Sequence, residues 1–179
     1  SISPDNSRLA VLRVSQEYRK LLVQIWDLKT GSVLRNLPQS TAFIRISPDW
    51  KYYLYTSVSG FTHVVHVLRM DDFSQATTFN ASYPAMSFSI DGSLLAISHA
   101  VYKTSDWSVL EHYSANGLVL SADGQQLAGV FDDGVPVIYN TASGEIITLL
   151  NDFVYSSGAD EVGLSPDGRW MASGGNTLT

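Results

Sequence analysis

The sequence predicts an all-β fold assembled from short repeats of about four strands each, and three observations predict it. A turn phrase recurs five times, as Ser3-Pro4-Asp5-Asn6, Ser47-Pro48-Asp49-Trp50, Ser89-Ile90-Asp91-Gly92, Ser121-Ala122-Asp123-Gly124 and Ser165-Pro166-Asp167-Gly168. A second stretch, best seen at Val23-Gln24-Ile25-Trp26-Asp27-Leu28-Lys29-Thr30-Gly31, recurs downstream of the turns. No run of apolar residues at i, i+3, i+4 and i+7 interrupts them as a helix would. The turn aspartates are 44, 42, 32 and 44 residues apart, which is the spacing of a repeat architecture.

The phrase makes chemical sense as a tight turn between strands. Proline pre-sets the φ angle of the first central position. Aspartate bonds nearby backbone N–H groups, and glycine or asparagine tolerates the left-handed conformation that follows. Trp50 occupies that last position in the second copy, which predicts a looser or strained turn there.

Each repeat then reads in order. In the first, the turn precedes the Val23-to-Gly31 stretch as a third strand and Val33-Leu34 as a fourth. In the second, Phe43 to Ile46 lead into the turn, Leu68-Arg69 align with Trp26-Asp27, and Thr77-Thr78-Phe79 form the outer strand. The third offers Leu94-Leu95-Ala96-Ile97, Tyr102-Lys103 and Val109-Leu110. Only 11 positions separate Asp91 from Tyr102, against 16 from Asp123 to Tyr139, so a minimal hairpin is expected near 98–100. In the fourth, Pro136-Val137-Ile138-Tyr139-Asn140-Thr141-Ala142-Ser143-Gly144 aligns without gaps 113 residues after its first copy. Pro136 lacks a donor and should open that strand, with Ile146-Ile147-Thr148-Leu149 outside it. A fifth repeat begins at Leu164.

The Val23-to-Gly31 stretch and Leu164-Ser165-Pro166-Asp167-Gly168-Arg169-Trp170-Met171-Ala172-Ser173-Gly174-Gly175 resemble the third strand and first hairpin of the WD-repeat β-propeller family. The resemblance runs over nearly the whole chain. It implies a β-propeller of four-stranded antiparallel blades, about four blades plus the start of a fifth, at approximately 1–40, 41–82, 83–115, 116–151 and 158–179. Inner strands of such a fold are buried on both faces, which suits the apolar runs at 42–46 and 118–120. The repeat is entered inside a first strand and left where a third is due, so the expectation is a fragment of a longer propeller, truncated at both ends. The resemblance makes Trp26 and Tyr139 inter-blade core residues, with Asp27, Asp49, Asp91, Asp123 and Asp167 as structural aspartates. The family's Gly-His dipeptide is absent. Of the family's Asp-His-Ser-Trp network only His112, Asp132 or Asp133, and Tyr139 fall near the required places, and Gly129 replaces the serine. Blades held by packing are therefore expected.

Chemistry is hard to place on this chain. At 179 residues, 45% apolar and 16% charged, it is globular in composition, and no apolar run is long enough to span a membrane as a helix. It has no cysteine, which removes disulfides and thiolate metal sites and leaves the redox compartment undetermined. His63 and His66, three apart on a strand, point to opposite faces and cannot chelate one ion together; His99 and His112 lie at a strand end and near a loop. There is no G-x-S-x-G elbow, phosphate loop or dinucleotide fingerprint. Asp71-Asp72 and Asp132-Asp133 fall in turns, leaving Asp160-Glu161, near the expected axial mouth, as the one acidic pair placed like a site. Arg45 on an inner strand suits a buried ion pair or a channel lining. Asn80-Ala81-Ser82 matches a glycosylation acceptor. Net charge is −6, and Tyr18 with Arg19-Lys20 is too small a basic patch for RNA. The charge is divided, +5 over residues 1–69 and −11 over 70–179, a bipolarity that can steer a charged partner.

The expectation is thus a non-enzyme without cofactor, metal, nucleic-acid or small-molecule site: an interaction platform for another protein or a neighbouring domain of the same chain. The alternative that the resemblance allows is the substrate-gating propeller of a larger serine peptidase. For a platform, the loops opposite the Ser-Pro-Asp-Gly turns, at 15–20, 58–63, 80–84, 112–117 and 151–160, offer Tyr18, Phe61, Tyr83, Tyr113, Phe153 and Tyr155. Aromatics with a polar rim are what interface hot spots are made of.

Overall fold

One hydrogen-bonded turn is repeated five times along the chain. In each copy the serine hydroxyl donates to the aspartate Oδ1, at 2.6 Å for Ser3–Asp5, Ser47–Asp49, Ser89–Asp91 and Ser121–Asp123 and 2.7 Å for Ser165–Asp167. The same hydroxyl accepts the backbone N–H five residues on, from Arg8, Tyr52, Leu94, Gln126 and Trp170, at 2.8–3.0 Å. The fourth residue's N–H closes the turn onto the serine carbonyl and takes a left-handed φ: 56° at Asn6, 58° at Trp50, 73° at Gly92, 71° at Gly124 and 68° at Gly168. The serines of the first four copies are buried. A buried hydroxyl needs its partners, which is why serine leads every copy.

The structure, a computed structural model, describes residues 1–14, 21–37, 43–60, 62–82, 85–150 and 161–174. Among them there is no helix, and the strands form antiparallel sheets in chain order. The chain divides into two compact units, Ser1–Pro84 and Ala85–Thr179.

The first unit holds two sheets. One is β1 (Arg8–Val14), β2 (Leu21–Asp27) and β3 (Val33–Asn36), with Ile2 bridging Leu9 on the inner side. The other is β4 (Ile44–Ile46), β5 (Tyr52–Ser59), β6 (Thr62–Arg69) and β7 (Gln75–Ala81). Their core gathers Val23, Ile25 and Leu37 from the first sheet with Trp50, Tyr53, Leu68 and Met70 from the second. Trp50 does adopt the strained left-handed backbone, at a cost of about 1–2 kcal/mol, and its ring is 9% exposed in this core.

The second unit holds β8 (Met86–Phe88), β9 (Leu94–Ile97), β10 (Ala100–Lys103) and β11 (Val109–His112); then β12 (Asn116–Leu120), β13 (Gln126–Val130), β14 (Pro136–Asn140) and β15 (Ile146–Leu149); and the pair β16 (Glu161–Leu164) and β17 (Met171–Gly174). The short hairpin expected near 98–100 is present: Ile97 pairs with Ala100 across Ser98-His99, with Ser98 at φ 53°. Pro136 opens β14. A shared core of Ala96, Val101, Tyr113, Ala115, Leu118, Leu120, Leu127, Val137 and Tyr139 joins the two four-stranded sheets.

A second turn also repeats, between the third and fourth strands. Gly31, Phe73, Trp107 and Gly144 each donate to the carbonyl four residues back and each carry a positive φ. Asp27 and Asn140 cap theirs by accepting two backbone N–H bonds, at 2.7–2.9 Å and 3.0 Å.

Two expectations about single side chains need correction. Trp26 is half-buried rather than core, with its indole N–H unpartnered. Strand alternation sends Val23 and Ile25 to the core and turns Gln24 and Trp26 to the other face. Its counterpart Tyr139 is buried because β14 presents that face to the preceding sheet. Of the two readings of Arg45, the buried ion pair is the one corrected: Arg45 is exposed on β4 and donates to the Ile44 carbonyl at 3.4 Å.

Candidate functional site

Within the second unit, successive Ser-x-Asp turns are joined to one another. Ile90 N–H donates to the Ala122 carbonyl at 2.8 Å, and Ala122 N–H donates to the Pro166 carbonyl at 3.0 Å. Side chains close the same seam. A Cβ on Gly124 would meet Leu94 Cδ1 at 3.0 Å, and one on Gly168 would meet Gln126 Oε1 at 2.8 Å. The residue five after one turn serine therefore lies on the glycine of the next turn.

The seam of the first unit has neither feature. Pro4 has no N–H to offer the Pro48 carbonyl, and Trp50 stands where the glycine would be. Here Arg8 and Trp50 flank a cleft of ≈ 400 Å³ whose other walls are Lys51, Tyr52, Arg69, Met70 and Asp71. That volume is in the range of ligand pockets.

The rim of the cleft is charged. Lys51 pairs with Asp49 at 3.0 Å. Burial raises the Asp49 carboxyl, but the Ser47 hydroxyl and Lys51 outweigh it and hold the group below the usual range. Arg69 uses one terminal nitrogen on Ser74 Oγ at 3.2 Å and on the Gln75 carbonyl at 3.4 Å, which leaves most of its five donors. The guanidinium of Arg8 donates no hydrogen bond among the described residues. Asp71 is the acid of the lining; beyond it, Asp27 stands across the strands from Arg8 and Asp72 lies near Arg69. After the backbone N–H groups of Thr30 and Ser74, each arginine helps to lower its neighbour's carboxyl.

The residues singled out from the sequence fall elsewhere. Tyr18, Phe61, Tyr83, Phe153 and Tyr155, with Asp160, lie outside the described residues. Tyr113 is a correction: it is 6% exposed, donates its hydroxyl to the Thr141 carbonyl at 2.7 Å and meets Tyr139 edge-on at 5.0 Å. Strand β11 ends beside the shared core, which takes the ring. Asp49, Asp91, Asp123 and Asp167 serve their turns, as does Asp5. His112 is exposed, and Asp132 accepts from Asn116 Nδ2 at 2.7 Å, so these two do not come together with Tyr139. Asp72 and Asp133 accept the N–H groups of their own turns.

One pair was not foreseen. His66 Nε2 lies 2.8 Å from Ser57 Oγ, with the ring stacked on Tyr55 at 4.6 Å. That is the spacing of a nucleophile and its base, but His66 Nδ1 is buried without a partner, so no carboxylate orients the ring. Among the described residues no three His, Cys, Asp or Glu groups could hold a metal.

No family model matches the chain, and no curated protein does. Solved structures do. It is similar to TolB from Acinetobacter baumannii, with a TM-score of 0.61 and 19% identity over 95% of this chain and 46% of that one. It is equally similar to hydrazine synthase of Kuenenia stuttgartiensis, with a TM-score of 0.61 and 19% identity over 96% of this chain and 53% of the other. The fold is an all-β, propeller-like one with about four blades. The chain spans about half the length of the structures it matches.

Proposed function

We propose that this chain is a non-catalytic propeller module of the WD-repeat kind that docks another protein or a neighbouring domain of its own polypeptide. What carries the reading is the cleft of the first unit. Arg8, Arg69 and Trp50 line it together, and arginine and tryptophan are enriched at interface hot spots. The Ser57–His66 pair, lacking an orienting acid, adds no support for a hydrolase. Fold alone does not assign function, so the test is direct. Immobilised chain should retain a partner that soluble chain competes away, and the purified pair should form a saturable complex by calorimetry. Retention that soluble chain does not compete, or turnover of an activated ester abolished by Ser57→Ala, overturns the reading; the latter favours a peptidase context.

A further inference from the structure

We propose that copies of this chain associate head to tail, with the row Ile2, Leu9 and Trp26 on the first sheet of one copy seated against Gly163 and Ala172 in the strand pair β16–β17 of the next. The inference goes beyond the platform reading and does not rest on it. The cleft of the first unit is shared with the second sheet, whereas this row turns the other way.

The joint already exists once in the molecule. Across the fourth sheet Leu120 pairs with Leu127 and Leu127 with Tyr139, so the three side chains form a row on one face. Across the third sheet Ser87 pairs with Ala96 and Ala96 with Val101. The two rows meet. Leu120, Leu127 and Tyr139 share a core with Ala96 and Val101, and the Leu120 N–H donates to Ser87 Oγ at 3.0 Å. Leu120 precedes its turn serine by one residue and Leu127 follows it by six. At the same offsets from Ser3 stand Ile2 and Leu9, which bridge one another, and Leu9 pairs with Trp26, the aligned counterpart of Tyr139. Strand alternation turns this row away from Ala10, which packs towards the second sheet. Gly163 and Ala172 stand two before and seven after Ser165, as Ser87 and Ala96 do about Ser89, and they too pair. The first sheet thus repeats one half of the joint, and β16–β17 repeats the other.

Both repeats of the joint lack their cover. Leu120 is 5% exposed, whereas Ile2 is 55% exposed. Leu127 and Tyr139 are buried, whereas Leu9 and Trp26 are half-buried and the Trp26 indole N–H has no partner. Ala96 is buried and Ala172 exposed, and a Cβ on Gly163 would meet nothing within 4 Å. Size decides the occupant. Trp26 puts a larger ring where the fourth sheet has tyrosine, and Gly163 puts a smaller residue where the third has serine. Room lost on one side is regained on the other, and summed volume is what a packed joint must keep. Two first-sheet rows set against each other would oppose bulk to bulk. Charge agrees with the orientation. Residues 1–69 carry +5 and residues 70–179 carry −11, so head-to-tail pairing brings unlike signs together and like-to-like pairing does not. The excess of −6 on each copy opposes any pairing at long range, but it is screened beyond about 8 Å at physiological salt. A heterologous joint of this kind builds a ring or an open chain of copies.

The test is sedimentation velocity on the whole 179-residue chain, from about 1 to about 200 µM. The sedimentation coefficient should rise reversibly with concentration. Ile2→Glu and Ala172→Glu, both at exposed positions, should each weaken association roughly tenfold or more, because either buries an unpaired carboxylate in the joint. Ile90→Glu, at an apolar residue more exposed than Ile2 but outside both rows, should leave it unchanged. Melting curves of the dilute variants should match the parent's; should either of the two glutamate variants melt lower, the other decides alone. Mixing these two variants should restore a complex that stops at a dimer, since one keeps an intact β16–β17 face and the other an intact first-sheet face. A parent that stays monomeric throughout overturns the proposal and leaves the two faces to another segment or partner. So does association that survives both substitutions, association abolished by Ile90→Glu, or a mixture that stays monomeric.

Discussion

Eight residues after the turn serine, the second sheet carries Tyr55 and the fourth carries Gly129. The backbone slot is the same, the second strand of a four-stranded sheet, yet one holds an aromatic ring and the other has no room for a methyl group. Tyr55 stacks on Tyr53 at 5.8 Å and on His66 at 4.6 Å. A Cβ on Gly129 would lie 2.8 Å from Ala115 Cβ, 2.9 Å from Leu118 Cδ2 and 3.1 Å from the Asn116 carbonyl. The cause is local. Strand β12 bulges between Asn116 and Val119, with Gly117 at φ 61°, and the bulge leans over Gly129. Strand β4 pairs with β5 residue for residue and leaves Tyr55 its space. The repeat therefore dictates turns and register, while what fills each slot is decided by the neighbouring strand.

Four measurements sharpen or break this contrast. The largest effect belongs to the aromatic side of it. Tyr53 is fully buried, and Tyr53→Ala should cost about 3–5 kcal/mol in urea unfolding; a loss under 1 kcal/mol would mean the ring is not holding the first unit's core. Next comes Trp50. Removing its ring should destabilise by about 2–4 kcal/mol as Trp50→Gly, and by about 1 kcal/mol more as Trp50→Ala, because alanine keeps the left-handed penalty that glycine escapes. Equal losses would show that the turn stores no strain. On the other side of the contrast, Gly129→Ala should cost about 1–3 kcal/mol by overpacking, and a neutral result would place the bulge elsewhere.

The smallest effect is shared by both units. Hydrogen bonds from the Ser3 hydroxyl, then from Ser7, push the Asp5 carboxyl down to about 2 from an ordinary 3.8. Asp91, Asp123 and Asp167 are lowered too, each first by its own turn serine. A carboxyl lowered on folding stabilises the fold above its unfolded pKa, and that contribution is lost as pH falls through the folded one. The melting temperature should be insensitive to these groups above about pH 5 and decline from about pH 4 towards 2. Asp5→Asn should flatten part of that decline; a decline centred at pH 6 would point to histidine.

Much of this fold was legible because its signals are local. Five copies of one phrase announced five turns, Trp50 announced the strained one, and the short interval before Tyr102 announced a two-residue hairpin. The role of the leading serine was missed: its hydroxyl reaches an N–H five residues away, outside the four residues by which turns are read. Trp26 and Tyr113 were misplaced for a different reason. Burial depends on which sheet packs against a face, and a strand's own residues do not carry that information. The cleft was visible only in pieces. Pro4 and Trp50 are 46 residues apart, and nothing in either says that they meet the same seam. The sign that could have found it was the pairing of a turn without glycine with a preceding turn whose second residue cannot donate.

The side chain that lies on the next turn's glycine also bears on how such a chain could have grown. Leu94 answers to Gly124 and Gln126 to Gly168, so each contact joins two repeats. A duplicated segment cut within the strands would carry a glycine and a covering side chain that belong to different neighbours, and would meet a stranger at both ends. One cut just after the turn glycine, ahead of the covering residue two positions on, would carry a matched pair intact. Substitutions at the two members of a pair should be inherited together across related chains, and a designer splicing an extra repeat into this one should place the junctions just after the turn glycine.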